Sequence, residues 1–358
     1  MDNNTICYYN SALDLYLSPQ LLDEFNACEL TLGKNRYFFQ SGNTPFNSTS
    51  TTSIAKNKYS TNKILASAGI PVPRGDAMHI DSYKEGKLEE AIGHLAFPLV
   101  VKPLDLAKGE GVLCNVTSFE QLRKHIDAHL LSQEFLYFEE FHGRMNSYRV
   151  LVFQRQIIGV IQRYPARVLG DGLHSIRDLI ELTNQARITT NDALGLIVVD
   201  DECQMRLDEQ GFDLDSIPGL DQMVPLGYTS NASRGGVFEA LNTRICKKNR
   251  KLMIRVAATM GLDLVGIDVE CPDINVPIES SNGVIIEVNH NPSIKIHEIP
   301  LKGKPNRVTK KIVRALIFRH PIAYLCLLCK NKKIMFYARL LFVTAWAGLT
   351  YYLLGSLA

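Results

Sequence analysis

The chain has 358 residues, of which 46% are hydrophobic and 21% are charged, and its formal net charge is +2. A chain of this length and composition can bury one large core or two to three smaller lobes, which excludes disorder as a whole. Basic and acidic side chains nearly balance, so the chain lacks the overall positive field that attracts nucleic acid, and no nucleic-acid partner is expected.

The cysteines indicate a cellular compartment. Eight of them are scattered along the chain, and the first residues, "MDNNTICYYN", are polar and contain no lysine or arginine. This start does not resemble a secretory signal, so we expect a reducing, cytoplasmic compartment. Cys326 and Cys329 form a C-x-x-C in the apolar stretch "AYLCLLCK". Because no second ligand pair lies nearby, burial is favoured there over metal binding.

The first half of the chain begins with a weakly patterned lobe over residues 1–55, which ends in the polar loop "SGNTPFNSTSTTS". The stretch "NKYSTNKILASAGIPVPRG" then predicts a helix that ends at Gly69. "HLAFPLVVKPL" and "GVLCNVT" predict strands, and "SFEQLRKHIDAHLL" predicts a helix with Ser118 as its N-cap. "EFLYFEEF" predicts another strand, and "SYRVLVFQRQIIGVIQRYPA" a hairpin that turns near residues 154–156.

The second half begins with a polar, irregular stretch from about 184 to 235. A helix is predicted over "EALNTRICKKNRKLMIRVAATMG", followed by strands over "LVGIDVEC" and "GVIIEVNHNP". Helices and strands alternate and include an antiparallel hairpin, so we predict an α+β fold of several lobes and not one doubly wound sheet.

The C-terminal tail differs from the rest of the chain, whose mixture of polar and apolar residues is typical of a soluble protein. The segment from Leu340 to Leu357, "LLFVTAWAGLTYYLLGSL", carries no charge and is just long enough to cross a hydrocarbon core of about 30 Å as a helix. The basic stretch "KNKKIMFYAR" before it favours the cytosolic face of a membrane. The preceding run "IVRALIFRHPIAYLCLLC" is amphipathic. Packing of the tail on the soluble body, or in a homo-oligomer such as a dimer, is the alternative.

Lys102 occupies an unusual position in "PLVVKPLDLAKGEGV", directly after an apolar run. Burying an ammonium group costs several kcal/mol unless an anion pairs with it. Either the strand ends at Lys102, or the side chain faces an anion.

Three oxygen-bearing side chains lie on the last two predicted strands. Glu287 and Asn289 alternate with apolar residues and share one strand face, and Asp268 lies about one short hairpin upstream. Carboxylate and amide oxygens with open water positions suit Mg²⁺, which usually also takes substrate phosphates as ligands. Taken singly, each is more readily explained as an ordinary polar residue at a strand end, and the combination with Lys102 and the glycine loop weakens that explanation.

Several ordered blocks together carry a family resemblance: "NKYSTNKILASAGIPVPRG", "PLVVKPLDLAKGEGV", "EEFHGRMNSYRVLV", "RYPARVLGDGLHSI", "SNASRGG", "GIDV" and "IIEVNHNPSIKIH". In their order and spacing the chain resembles the ATP-grasp carboxylate-amine ligases, and most closely the ATP-grasp module of cyanophycin synthetase and of bifunctional glutathione synthetase. The resemblance covers roughly residues 53–315. It implies an ATP-grasp fold with a lid subdomain over 56–140 and a C-terminal α/β catalytic subdomain over 141–315. The hydrophobic tail, 316–358, lies outside the resemblance.

The resemblance also implies an ATP site. Its phosphates would be held by Lys58 and Lys102, so that the anion facing Lys102 would be phosphate. A glycine loop containing Lys108, Gly109 and Gly111 would close over them, because backbone N–H groups approach phosphate oxygens where no Cβ intervenes. The adenine would contact the hinge formed by Glu139, Glu140 and Phe141. The ribose-binding position falls at Asn146 and Ser147 and is not assigned.

The implied reaction is attack of a substrate carboxylate on the γ-phosphate of ATP, followed by displacement of phosphate by an amine. Mg²⁺, or Mn²⁺ in its place, would bridge the phosphates at Asp268, Glu287 and Asn289. Arg149 and Arg163 would be cationic partners of the acyl phosphate or of the substrate carboxylate, with a surface ion pair as the alternative for each. Asn231 and Arg234 would hold the transferred group.

Other positions bear on the substrate and on turnover. D-alanine ligases carry an arginine where this chain has Gly266, which argues against a D-alanine substrate. His290 and His297 are candidates for proton handling, against a purely structural role. The substrates implied are amino acids or small peptides. A membrane-associated nucleotide-binding scaffold without turnover is the alternative function.

Overall fold

The computed structural model describes residues 1–104, 111–143, 145–190 and 195–355. The chain forms two compact units, one made of residues 42–308 and the other of residues 1–41 together with 309–358. The fold is a mixture of helices and antiparallel sheets, as the predicted α+β class requires. The four predicted domain bounds stay predictions.

The N-terminal part of the smaller unit is a helix and a three-stranded antiparallel sheet of order β1-β2-β3. Its elements are α1 (Asn3–Asp14), β1 (Gln20–Leu22), β2 (Ala27–Leu32) and β3 (Asn35–Gln40). The Asp2 carboxylate caps α1 by accepting a hydrogen bond from the Asn4 backbone N–H at 2.5 Å. Tyr8 stacks on Phe39 with ring centroids 4.6 Å apart, and this pair attaches the helix to the sheet.

The first sheet of the larger unit has four antiparallel strands in the order β4-β7-β5-β6. Two helices precede it in the chain, α2 (Thr49–Lys56) and α3 (Lys58–Ser67). The sheet and its own helices are β4 (Gly75–His79), α4 (Ile80–Lys84), α5 (Leu88–Ile92), β5 (Leu99–Pro103), β6 (Leu113–Val116), α6 (Phe119–His125) and β7 (Phe135–Glu140). Leu99 and Val101 pack with the helices on one face, so Val100 and Lys102 point to the other face.

The second sheet has six strands in the order β14-β13-β8-β9-β12-β15, and every neighbouring pair except the last is antiparallel. Its elements and the segments between them are β8 (Asn146–Phe153), β9 (Gln156–Tyr164), β10 (Arg167–Leu169), α7 (Ile176–Thr190), α8 (Asp201–Asp208), β11 (Met223–Pro225), β12 (Val237–Asn242), α9 (Lys247–Thr259), β13 (Leu264–Cys271), β14 (Val284–Asn289), α10 (Lys295–Glu298) and β15 (Lys302–Gly303). Strands β10 and β11 form a separate antiparallel pair.

Alternation along the strands decides which residues face the site. On β13, Val265, Ile267 and Val269 belong to the core that α9 covers. The residues between them therefore point to the opposite face, and Asp268 is one of these. On β8 the core takes Val150 and the residues two positions away on either side, so Arg149 shares the face of Asp268.

Local features of the sequence agree with the structure at three points. The Ser118 hydroxyl caps α6 by accepting from the Gln121 N–H at 3.2 Å. Gly69 follows α3 with a φ of +65°, a conformation that favours glycine. The β8–β9 hairpin turns at Gln154 and Arg155, whose φ values are 45° and 61°.

Two predictions of secondary structure were wrong. The helix predicted from residue 239 begins only at Lys247, because residues 237–242 instead form β12, which pairs with β9 and buries Phe238 and Ala240 at alternate positions. The polar stretch after residue 184 is not irregular throughout, since it contains the end of α7 and all of α8.

Three helices complete the smaller unit: α11 (Val308–Arg319), α12 (Pro321–Lys330) and α13 (Lys332–Gly355). The first two meet at an angle of 103°. Cys326 and Cys329 are exposed, so the predicted burial of this C-x-x-C was wrong. The stretch Lys332–Tyr352 is long and apolar enough to cross a membrane, and none of its 18-residue apolar window is buried.

Candidate active site

A cleft in the larger unit lies between α3, the four-stranded sheet and β14. Its lining residues are Ala55, Lys58, Thr61, Asn62, Leu65, Val72, Lys102, Tyr137, Glu139, Ile285, Ile286, Glu287 and Val288. The cleft brings together four of the predicted site residues from separate elements: two lysines, Lys58 and Lys102, and two carboxylates, Glu139 and Glu287.

Lys102 has an anionic partner within the chain. Its ammonium group donates to Oε1 of Glu139 at 2.5 Å, and the two residues are only 7% and 3% exposed. The Lys102 Nζ also lies 5.2 Å from the centre of the Tyr137 ring. Strand β5 continues past Lys102, so this lysine is a buried residue within the strand, and Glu139 compensates the charge of its side chain. The contact of Lys102 with phosphate stays a prediction.

The second predicted phosphate ligand, Lys58, is the first residue of α3, and its ammonium group donates to the Leu104 carbonyl at 3.3 Å. Leu104 precedes residues 105–110, so the predicted loop residues Lys108 and Gly109 lie outside the described residues. Gly111 follows with a φ of +67°. A Cβ there would come within 2.9 Å of both Leu130 and Pro103, so this close packing and the positive φ both favour glycine at this position.

The predicted adenine hinge is held by hydrogen bonds within the chain. The Glu140 carboxylate accepts from Arg74 and from the Ala96 N–H, the latter at 2.8 Å. Arg74 and this hydrogen bond lower the pKa of Glu140 against the opposing effect of burial. The Phe141 N–H donates to the Pro98 carbonyl at 2.9 Å. A purine that accepted a hydrogen bond from this N–H would have to displace Pro98.

Asp268 is the centre of a buried charge network. Its two oxygens accept from Nε and Nη2 of Arg149, both at 2.7 Å, and its Oδ2 also accepts from Nη1 of Arg163 at 2.9 Å. Burial alone would raise the pKa of Asp268, but the two guanidinium groups lower it. Arg163 extends the network by donating from Nη2 to the Ser147 hydroxyl at 2.9 Å. Asp268 is therefore ionised, and it orients both predicted catalytic arginines.

The predicted metal ligands lie on adjacent strands. In the β13–β14 ladder Asp268 is opposite Glu287, and Gly266 is opposite Asn289. The Asn289 amide donates to Glu287 Oε2 at 3.5 Å. Two carboxylates and an amide fit the oxygen ligands that Mg²⁺ prefers. A Mg²⁺ ion held by all three would require Asp268 to share an oxygen with it or to release an arginine.

Glu270 is a member of the same face that the sequence reasoning missed. It lies opposite Ser147 in the ladder, two residues after Asp268. Burial raises the pKa of Glu270 to about 7, and the charge of Arg163 opposes this rise. The alternation in "GIDVEC" placed Glu270 on the face of Asp268 and was the signal that could have identified it.

Asn231 and Arg234 lie beside α8. The Asn231 side chain accepts from the Ser233 N–H at 3.1 Å and so caps a short 3₁₀ turn. Arg234 forms ion pairs with Asp200 and with Glu202, the second at 3.9 Å. Glu202 is buried and accepts from the N–H groups of residues 228 and 229 at 2.6 and 2.7 Å. These contacts hold the "SNASRGG" segment against α8.

The packing around His297 and Gly266 bears on two further expectations. His297 is 1% exposed, and burial together with the charge of Arg149 lowers its pKa to about 3, so its ring is neutral. Its neutral, enclosed ring favours the structural role. A Cβ at Gly266 would lie 2.8 Å from Cβ of Pro292, so the site excludes an arginine at this position.

Comparisons with known proteins point to one family. The profile of the RimK-like ATP-grasp domain matches residues 55–168 and 219–316. The cyanophycin synthetase of Synechocystis sp. is 36% identical over 274 residues, which cover 74% of this chain and 30% of that protein. The bifunctional glutathione biosynthesis protein of Mannheimia succiniciproducens is 29% identical, over 88% of this chain and 42% of its own.

The crystal structure of a bifunctional glutathione synthetase from Pasteurella multocida gives a TM-score of 0.59 at 26% identity. The match covers 88% of this chain and 44% of that one. This chain therefore spans less than half the length of each of these relatives.

Proposed function

This chain belongs to the RimK-like ATP-grasp domain family, and from that membership we propose that it is an ATP-dependent ligase that joins a carboxylate to an amine. The family and the fold drawn from the ordered motifs are thereby confirmed. The observation that carries the proposed activity is the cleft, where Lys58, Lys102 and Glu287 converge from three separate elements. Two lysines suit the phosphates of a nucleoside triphosphate, and Glu287, the carboxylate that is not paired with Lys102, suits its metal.

ATP would lie in this cleft with its phosphates near Lys58 and Lys102, beneath the loop that contains Lys108, Gly109 and Gly111. The base would lie near residues 139–141. The Lys102–Glu139 pair supports this arrangement, because a lysine already desolvated and oriented loses little rotamer entropy on meeting phosphate. Mg²⁺, or Mn²⁺, would be held at Glu287 and Asn289 together with Asp268, and it would neutralise phosphate charge.

In the proposed reaction, a carboxylate oxygen of the substrate attacks the γ-phosphorus of ATP. A new O–P bond forms, the bond to the β-phosphate oxygen breaks, and ADP leaves. The amine nitrogen of the second substrate then attacks the acyl carbon, inorganic phosphate leaves with the bonding electrons, and the amine loses a proton. Arg149 and Arg163, oriented by Asp268, would stabilise the acyl phosphate, while Asn231 and Arg234 would hold the transferred group.

The substrates proposed are amino acids or small peptides, in keeping with the names of the relatives. One observation favours the alternative of a nucleotide-binding scaffold without turnover, namely that both oxygens of Asp268 accept hydrogen bonds from arginines. Release of ADP by the purified chain, measured with pairs of amino acids and Mg²⁺, separates the two. A ligase releases ADP only when both substrates are present and gives a condensed product by mass, whereas a scaffold binds ATP and releases none.

The tail is proposed to anchor the chain at the cytosolic face of a membrane. Along α13, Phe342, Trp346 and Tyr351 are 68%, 63% and 83% exposed. Lys330, Lys332, Lys333 and Arg339 flank the apolar stretch on its N-terminal side and would meet anionic headgroups. This arrangement of charge beside an uncovered apolar helix favours lipid as the occupant.

Fractionation of cells with a carbonate wash tests the anchor. The intact chain should stay with the membrane pellet, and a Phe342→Asp/Trp346→Asp variant should be released, because a charge in the hydrocarbon core is costly. A soluble dimer of the intact chain would instead show that the tail packs against a second copy.

A further inference from the structure

A second group of possible metal ligands lies outside the cleft, between α6 and α8. His125 is the last residue of α6, His129 lies in the π-helical turn Ile126–Leu130 that follows, and Asp201 is the first residue of α8. One ligand atom from each of the three lies within 4.8 Å of the other two. Among the described residues, no other three histidine, cysteine or carboxylate side chains bring their ligand atoms this close together.

The two ring nitrogens of His125 differ in their hydrogen bonds. Its Nε2 lies 3.3 Å from the Gly111 carbonyl, and because a carbonyl only accepts, this nitrogen carries the proton. The other ring nitrogen, Nδ1, is buried and has no hydrogen-bond partner. Metal-bound histidines characteristically donate their second N–H to a carbonyl or carboxylate, which fixes the tautomer and the ring orientation.

The other two side chains, those of His129 and Asp201, supply further atoms that can bind a metal. His129 Nε2 lies 3.3 Å from Asp201 Oδ2, and the two histidine rings have centroids 4.9 Å apart. The His129 and Asp201 side chains are 49% and 68% exposed, so they can move. In a tetrahedral site, ligand atoms about 2.0–2.1 Å from Zn²⁺ lie about 3.3 Å from one another. Movement of the exposed His129 and Asp201 side chains toward His125 brings all three into this range.

We infer that His125, His129 and Asp201 form a binding site for a divalent transition metal, with Zn²⁺ as the best match. Two imidazoles and one carboxylate, with a fourth position open to water, are a zinc ligand set, whereas Mg²⁺ prefers oxygen ligands only. Single π-helical turns often occur at functional sites, and this one sets the spacing of the two histidines. The site is separate from the proposed nucleotide site and does not depend on its activity.

A bound ion would join the turn after α6 to the start of α8. Through the His125 hydrogen bond it would also fix the Gly111 carbonyl, which directly follows residues 105–110 in the chain. The site is thus placed to stabilise one end of the predicted phosphate loop. In this role zinc would stabilise the backbone and would not contact a substrate. Its binding can therefore be measured with no substrate present.

The test is calorimetric titration of the full chain in detergent with ZnCl₂. Cys326 and Cys329 are exposed and would bind zinc themselves, so every protein carries Cys326→Ser and Cys329→Ser. One equivalent of Zn²⁺ should bind. His129→Ala and Asp201→Asn should each weaken binding at least tenfold, and both positions are exposed enough for the fold to persist.

The matched control is His174→Ala, which removes another half-exposed histidine paired with an aspartate, Asp171, at 2.6 Å. Zinc affinity should not change in this variant. Substitution of Co²⁺ for Zn²⁺ should give a visible absorption spectrum that His129→Ala abolishes. The inference is overturned if the intact site binds no zinc, or if His129→Ala and His174→Ala bind it equally well.

Discussion

The buried pair of Lys102 and Glu139 gives the sharpest prediction about stability. Replacing Lys102 with Met should leave the Glu139 carboxylate buried without its cation. Both residues are less than a tenth exposed and their charged atoms are 2.5 Å apart, so the cost is that of breaking a buried pair, about 3–5 kcal/mol. An exposed pair would cost about 0–1 kcal/mol.

The assay is urea unfolding followed by circular dichroism, on Lys102→Met, Glu139→Gln and the double variant, all in the same detergent. In the double variant neither charge is left alone, so the coupling energy should be about 1–3 kcal/mol. Arg177→Met provides the control, because it removes the cation of an exposed pair with Asp215 at 3.2 Å. A Lys102→Met cost as small as that of Arg177→Met would refute the reasoning that the pair is desolvated.

The double variant also separates stability from ATP binding. If Lys102 contacts phosphate, then Lys102→Met/Glu139→Gln should regain stability and still bind ATP at least tenfold more weakly than the intact chain, since it lacks a charge-assisted contact worth about 1.5–3 kcal/mol. Calorimetric titration with ATP and Mg²⁺ measures this. Unchanged ATP affinity would mean that Lys102 is purely structural.

Three further outcomes are expected. Glu287→Gln should abolish ADP release while its free energy of unfolding stays within about 0.5 kcal/mol of the intact chain, and an unchanged Mg²⁺ dependence of release would exclude Glu287 from the site. Gly266→Ala should cost about 1–3 kcal/mol, because its Cβ would meet Pro292 at 2.8 Å, whereas Gly219→Ala, whose Cβ has 3.5 Å to its nearest neighbour, should cost less in the same urea titration. Arg163→Lys should lower the rate of ADP release, because one ammonium group cannot reproduce the planar contacts of the guanidinium group to Asp268 and Ser147. The control variant Arg177→Lys should leave this rate unchanged. Equal rates in the two variants would contradict the role of Arg163 in the reaction.

The sequence predicted local structure best where it depends on a few neighbouring residues alone. The Ser118 cap and the hairpin turn near Gln154 each follow from local chemistry, and both are in the structure. The segment 237–242 was assigned wrongly because its helix-forming residues continue into α9, and only pairing with β9 makes it a strand. Such pairing depends on residues far away in the chain.

Site residues could be named from the ordered motifs, but their partners could not. Nothing near Lys102 in the sequence indicates that Glu139, on the neighbouring strand β7, supplies its counter-ion. In the same way, Asp268 was expected to face a metal, whereas its oxygens accept from Arg149 and Arg163, which the β8–β13 register brings beside it. The alternation in the sequence places Glu270 on the face of Asp268, but the raised pKa of Glu270 follows from its burial, which the sequence does not show.

The central claim, acyl-phosphate chemistry in this cleft, is tested most directly with ¹⁸O. The purified full chain is first given ATP, Mg²⁺ and pairs drawn from the twenty amino acids and from small peptides, and each pair that supports ADP release is repeated with its carboxylates labelled with ¹⁸O. Because the attacking carboxylate oxygen stays on phosphorus when the amine displaces phosphate, inorganic phosphate should carry one ¹⁸O for each amide bond formed. The proposed ligase is contradicted by unlabelled phosphate, or by a chain that binds ATP and releases no ADP with any pair.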